Sequence, residues 1–410
     1  MPNPEGANQW GPKDYPPDDI LKKSLEKYVA YGLTREQKLA RLKKDHNLEI
    51  SIRKLTNLQK RLSVATVRKP GLEKEVLEEH VTEQVLKDAS KRQGPGTIKS
   101  RLKDKKILVP RRVVREIMKA LVPEGFDIRY PGNKHSKPHR TPLTSLGPFN
   151  EISADGHEKL DSKTLQMGTI SLPIYVYRDK FSGYILKLVV LPDARKAVAL
   201  GHVFLDLMSE IGGIPIQMTT DLGSEVGWQY AFQDTSRRLF APQVDPDVFP
   251  TFVTIKSVHN TVSESLWRFL SDISGKNLRE VVLYGKEFHI FNPQSDMHCD
   301  LFYWVFVPLI QTELDEFRTM WNQHKVRPQK EKEMPSGHTP ADAFEYPEEY
   351  NGVDCLIKVP EDTQEEEEWL SWYGTDFAEL AEAAYEEIGS PELTLETAWT
   401  VFEEMAPHLV

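Results

Sequence analysis

The stretch from Pro173 to Leu191 constrains the fold more than any other part of the chain. Pro173-Ile-Tyr-Val-Tyr177 and Tyr184-Ile-Leu-Lys-Leu-Val-Val-Leu191 are dense in β-branched and aromatic residues. Arg178-Asp-Lys-Phe-Ser-Gly183 between them has the composition of a hairpin turn. A further strand-like run ends at Ile152-Ser-Ala-Asp155. Asp193 to Ile211 then reads as a helix, with Ala197, Leu200, Phe204, Leu207 and Met208 at helical spacing, until Gly212-Gly213 stops it. Ile214-Pro-Ile-Gln-Met-Thr-Thr220 predicts the next strand, and helices follow over 261–330. Strand, strand, strand, helix, strand, helix implies an α/β architecture with a mixed sheet and flanking helices.

Three acids stand at the ends of these segments: Asp155 before Gly-His, Asp221 in Met218-Thr-Thr-Asp221-Leu-Gly-Ser-Glu225, and Glu264 in Ser257-Val-His-Asn-Thr-Val-Ser-Glu264-Ser-Leu-Trp267. A site for two divalent cations needs carboxylate oxygens converging from separate elements, because no single strand or helix surrounds both ions. Each acid also has an ordinary structural reading. Asp155-Gly156 is a favoured turn dipeptide. Asp221 leaves a strand, although strand carboxyl ends are also where open α/β sheets place ligands. Thr261-Val-Ser-Glu264 has capping-box spacing. At 100° per residue Val262, Leu266 and Phe269 form a stripe, which sets Glu264 nearly opposite, beside Arg268 and Ser271.

The net charge of −10 averages dissimilar regions. Residues 1–145 carry 32 Lys and Arg against 18 Asp and Glu, whereas residues 335–410 carry Lys358 against 20 acids. A basic front half suggests a polyanionic partner, with a solvated basic face as the plain alternative. Within it, Leu33 to Lys44 is amphipathic, a break follows at His46–Ile50, and Ser51 caps a segment with Leu55, Leu58 and Leu62 on one face. Arg53, Lys54, Asn57, Lys60 and Arg61 lie elsewhere on that segment. A second version runs from Thr97 to Leu102, breaks at Lys106–Val109, and resumes after Pro110, which suits the first turn of Arg111–Leu121. There Val114, Ile117 and Leu121 share a face, leaving Arg111, Arg112, Arg115 and Lys119 outside it. Helix, tight turn and basic helix is a layout that fits a DNA major groove, and a plain helical hairpin is the competing reading. A charged helical stretch over 71–92 separates the two, ended by Gln93-Gly-Pro-Gly96.

The expected organisation is a disordered lead (1–19), a helix-turn-helix-like region (20–70), a second one (71–130), a Pro-rich basic linker (131–145), an α/β core (146–334) and an acidic, mostly helical region (335–410). Cys299 and Cys355 cannot form a Cys-rich zinc site, so no zinc is expected. No run approaches a membrane span, and the opening Met1-Pro-Asn-Pro-Glu-Gly lacks a secretory pattern. An intracellular location, no membrane partner and no small-molecule substrate are expected.

Asp155-Gly-His-Glu-Lys-Leu160, Thr220-Asp221-Leu-Gly-Ser-Glu225 and Ser257 to Arg268 together resemble the three blocks of an integrase catalytic core, of the transposon-derived kind in the retroviral integrase and DDE transposase superfamily. The resemblance covers about 146–340, and Met334-Pro-Ser-Gly-His-Thr-Pro-Ala-Asp-Ala-Phe344 extends it. It implies a ribonuclease H-like, five-stranded mixed sheet and a DDE triad of Asp155, Asp221 and Glu264. Asp155 would bridge two Mg²⁺ or Mn²⁺ ions about 3.5–4 Å apart, completed by Asp221 and Glu264. Element ends and target DNA would be the partners, with self-association, in the nucleus. Two features depart from the family pattern. The interval from Asp221 to Glu264 exceeds the retroviral one, implying an inserted loop at 241–250, and Ser265 stands where an arginine is common. Arg268 becomes a candidate DNA contact. His157, Glu225, His259 and Asn260 become candidate auxiliaries, each with a structural hydrogen bond as its plainer role. A former transposase kept only for DNA binding is the alternative function, and a ribonuclease H-like nuclease without joining activity a third.

Overall fold

The computed structural model describes residues 15–67, 72–88, 90–123, 125, 144–157, 160, 165–191, 197–221, 226–255, 261–329, 333–360 and 372–409, with backbone alone at 261–264 and 375. Two helical units come first. Helices α1 (Asp18–Ala30), α2 (Arg35–His46) and α3 (Ile52–Arg61) close around Leu21, Leu25, Leu42, Leu55 and Leu58. Local chemistry sets their starts. Thr34 and Gln37 form a reciprocal capping box on α2, and Ser51 Oγ accepts the Lys54 N–H at 3.3 Å on α3. Helices α4 (Lys74–Leu86), α5 (Pro95–Asp104) and α6 (Arg111–Leu121) close around Leu77, Val81, Ile98, Leu102, Val114 and Met118. Two expectations change here. Pro110 occupies the cap position rather than the first turn, and Leu121 is exposed. Met118, four residues after Val114, fills the core stripe instead.

The sheet begins with antiparallel β1 (Glu151–His157), β2 (Ile174–Asp179) and β3 (Ile185–Val190). Arg178 and Asp179 therefore belong to a strand, and the expected turn is shorter. Helix α7 (Ala197–Ile211) follows, and Gly212 ends it at φ +68°, a conformation suited to glycine. The single strand expected over 214–220 divides into β4 (Gly213–Ile214) and β5 (Gln217–Asp221), because Pro215 between them has no N–H to give a ladder. Helix α8 (Gly227–Phe240) leads to β6 (Phe252–Ile255), a short strand whose position the sequence did not reveal. The five-stranded order is β3-β2-β1-β5-β6, with β5 and β6 parallel to β1. This is the mixed, ribonuclease H-like sheet. β4 pairs separately with β7 (Ile357–Lys358).

Strand alternation assigns each sheet face a different cover. Ile152, Ala154, Tyr175, Tyr177 and Met218 face α7, which buries Leu200, Phe204 and Leu207 there. Helix α8 adds hydrogen bonds from Gln229 Nε2 to the Tyr175 hydroxyl (3.2 Å) and from Gln233 Nε2 to the Pro215 carbonyl (2.7 Å). On the opposite face Ile174, Val176, Leu188 and Val190 pack under α9 (Thr261–Leu270), α10 (Lys276–Glu287) and the 28-residue α11 (Asp296–Gln323). A π-helical turn over Ser271–Gly275 joins α9 to α10. After the short α12 (Pro340–Glu345), α13 (Thr375–Glu387) and α14 (Ala398–Met405) return to this face. Trp399, Phe402 and Met405 enter the same core as Phe302 and Phe306. The acidic tail is thus packed onto the core helices.

Side chains of α11 close the outer edge of β3. Asn322 exchanges two hydrogen bonds with the Ile185 backbone (2.8 and 3.0 Å), and Gln311 bonds the Leu188 carbonyl (3.0 Å) and the Val190 N–H (3.1 Å). Arg318 reaches the Leu186 carbonyl at 3.1 Å. A helix thereby satisfies groups that an exposed edge would offer to another strand. Among the described residues no helix is long and apolar enough to cross a membrane.

Candidate active site

Strands β1 and β5 run parallel with Glu151 beside Gln217 and Ser153 beside Thr219. The paired register ends there, and Asp155 and Asp221 each lie two residues beyond it on the two adjacent strands. Glu151, Ser153, Asp155 and His157 therefore share a face with Thr219 and Asp221. That face is polar along this seam: Thr219 Oγ1 donates to Glu151 Oε1 at 2.9 Å, and Lys180 holds the other Glu151 oxygen at 2.6 Å. It is also the face covered by α9. Two of the three predicted acids thus lie on neighbouring parallel strands, Asp221 at the end of β5 and Asp155 two residues before the end of β1.

Glu264 is on α9, which packs against β1. Among the described side chains of α9, Leu266, Trp267 and Leu270 are buried, whereas Phe269 is half exposed and packs edge-on against Trp321 at 5.4 Å. Phe269 thus departs from the expected stripe, Leu266 keeps its place in it, and the Val262 side chain lies outside the described residues. The cause lies in β1, which presents an acceptor and a flat ring to the helix. Trp267 Nε1 donates to Asp155 Oδ2 at 2.8 Å, and the indole stacks on the His157 ring at 4.6 Å with planes 14° apart. The indole combines an N–H with an extended ring and so serves both. Glu264 precedes Trp267 by three residues, so the two are neighbours on the helix surface rather than on opposite sides. The Glu264 side chain lies outside the described residues, as do Glu225, His259 and Asn260.

Arg178 of β2 is a residue the sequence reading passed over, because it stood in the expected turn. Its NH1 donates to Ser265 Oγ at 3.4 Å, and its guanidinium lies over the Trp321 ring at 4.9 Å. Burial lowers its pKa to about 10. A guanidinium thus stands beside position 265, where the chain has serine. Arg268 is exposed on α9.

The other candidate DNA contacts lie on α3 and α6. Arg53, Lys54, Asn57, Lys60 and Arg61 are exposed on the first, and Arg111, Arg112, Arg115 and Lys119 on the second. Arg61 pairs with Asp18 (2.7 Å) and Arg112 with Glu116 (3.0 Å) at the surface. The contacts made to the core come from other helices. From α2, Arg41 is buried against Asp342 (2.6 Å) and Glu349 (2.7 Å), with its guanidinium 3.3 Å from the Tyr346 ring. From α5, Arg101 donates to Ser274 Oγ (2.9 Å) and pairs with Glu313, while Lys103 reaches the Gln323 carbonyl (3.1 Å).

A family model described as integrase core domain matches residues 174–341. The chain carries an integrase core domain. The matched segment contains Asp221 and Glu264, and it begins after β1 and so after Asp155. No curated protein matches the chain. Among solved structures, one similar chain occurs in the cryo-EM structure of the simian T-cell lymphotropic virus intasome in complex with PP2A regulatory subunit B56 gamma. It has 13% identity and a TM-score of 0.28, covering 64% of this chain and 73% of that one.

Carboxylate ligands suit a hard divalent cation. Asp155 and Asp221 offer carboxylate oxygens from adjacent strands, the ligand type Mg²⁺ and Mn²⁺ prefer. Among the described residues no three metal-ligating side chains converge, and the Glu264 side chain is not among them.

Proposed function

We propose that this protein is a DNA integrase or transposase of transposon origin, in which Asp155, Asp221 and Glu264 hold Mg²⁺ or Mn²⁺ for phosphodiester cleavage and strand transfer. The observation that supports it is that Asp155 and Asp221 lie on adjacent parallel strands and that the helix of Glu264 packs on Asp155 through Trp267. Bound divalent cations would supply the charge that activates a water or 3′-hydroxyl and stabilises the departing 3′-oxygen. The protein's part is to hold three carboxylates from two strands and one helix, since without cations their charge repels DNA. The exposed basic faces of α3 and α6 supply phosphate contacts with element ends and target DNA, with the salt dependence that counterion release imposes. Integration of two ends requires at least two copies, so self-association belongs to this reading, as does a nuclear place of action on chromosomal DNA.

Incubation with end-labelled DNA and Mn²⁺ tests it. Joined products from the native protein, lost in Asp155→Asn and Glu264→Gln with DNA binding retained, are the expected result. Nicks without joining would indicate a nuclease. DNA binding without any turnover, unchanged by Asp155→Asn, would indicate a retained DNA-binding protein and reject the catalytic reading.

A further inference from the structure

Trp267 makes two contacts with β1 at once, a hydrogen bond to the Asp155 carboxylate and a stack on His157, two residues further along the strand. It is 7% exposed, and its neighbours Leu266 and Leu270 are fully buried, so α9 cannot turn to release it without unpacking the core. The terminal torsion of an aspartate is broad and roughly two-fold, and an unrestrained carboxylate samples many orientations. An N–H donated to one oxygen removes that freedom. Hydrogen bonds to an ionised acceptor are also stronger than neutral ones.

We propose that Trp267 is a positioning residue, whose indole N–H sets the rotation of the Asp155 carboxylate before a divalent cation arrives. The role rests on the assignment of Asp155 as a cation ligand made above. It has a second consequence: Trp267 lies one turn beyond Glu264, so the same side chain ties the helix of one ligand to the strand of another. The spacing of the site is then a property of the α9–β1 contact rather than of either element alone.

Trp267→Phe keeps a stacking ring for His157 and removes only the donor. Mn²⁺ binding by calorimetry, half-saturating Mn²⁺ in the joining assay, metal-free DNA affinity and melting temperature are measured together. The expected result is a loss of Mn²⁺ affinity of about 10- to 100-fold, the range for residues that orient metal ligands. DNA affinity stays unchanged and turnover recovers at saturating Mn²⁺. A purely structural tryptophan would instead lower melting temperature and DNA affinity together, with no recovery. Should the phenylalanine variant unfold, a benzothienyl analogue at position 267 preserves ring size without the N–H and is judged by the same criteria. Asp155→Asn separates the cation assignment from the positioning role. If it leaves Mn²⁺ binding intact, the cation assignment fails and the positioning role with it. If it abolishes binding while Trp267→Phe matches the native protein, only the positioning role is overturned.

Discussion

Arg41 shows how one side chain can fix the relation between two parts of the molecule. Its guanidinium is almost wholly buried, shared between Asp342 and Glu349 and stacked on Tyr346. Replacing it with alanine leaves the buried Asp342 without its cation, a change that typically costs about 3–5 kcal/mol. Chemical denaturation of Arg41→Ala should show a loss of that order, and an unchanged midpoint would mean that Asp342 is rehydrated. Nothing local in the sequence announced this pair, because its partners are 301 residues apart. Trp267 was hidden for another reason. Helical periodicity ranks it only as apolar, whereas its place is decided by where the indole N–H finds an acceptor. Asp221 does close its strand as expected, whereas β1 runs on through Gly156 to His157, so the turn expected at Asp155-Gly156 is absent.

The seam between α5 and α11 carries a titration. Burial pushes the Asp104 carboxyl from 3.8 up to about 7, with Glu316 adding to the shift and Lys103 and Arg101 opposing it. The folded chain therefore holds a proton on Asp104 that the unfolded chain has released between pH of roughly 4 and 7. This contribution to stability is complete below about pH 4 and is lost as pH rises through about 7. Lys103, lowered to about 8 by burial, is protonated in both states over that window and adds no slope. Asp104→Asn should therefore flatten the fall in unfolding free energy between pH 5 and 7. An identical slope in native and variant protein would place the titration elsewhere. Helix α3 was readable because Ser51 caps its start, whereas α5 begins at Pro95, inside the segment expected to end the preceding helical stretch. Strand β6 was not readable, since Phe252–Ile255 is four residues long and only partly buried. Its pairing with β5 comes from the sheet, not from its own pattern.

Helix α11 is where the parts of the molecule meet. It covers the edge of β3, packs against Trp399 and Phe402 of the acidic tail, and receives Arg101 and Lys103 from the second helical unit. Removing the tail would uncover Phe302 and Phe306, so a truncation at residue 335 alters the core as well as the charge. The attachment of α5 to α11 also has a metric meaning. Helix α6, with Arg111, Arg112, Arg115 and Lys119 outward, shares a core with α5, which in turn is bonded to the scaffold that carries α9. If α6 grips DNA, the distance from the gripped segment to the three acids is a fixed length, and the protein is a ruler that sets how many base pairs separate recognition from cutting. Arg101→Ala loosens that joint. Under the proposed cleavage activity, positions mapped at nucleotide resolution should spread over several base pairs in this variant and fall at one in the native protein. An equally sharp position would show that the offset is set by the DNA rather than by the protein.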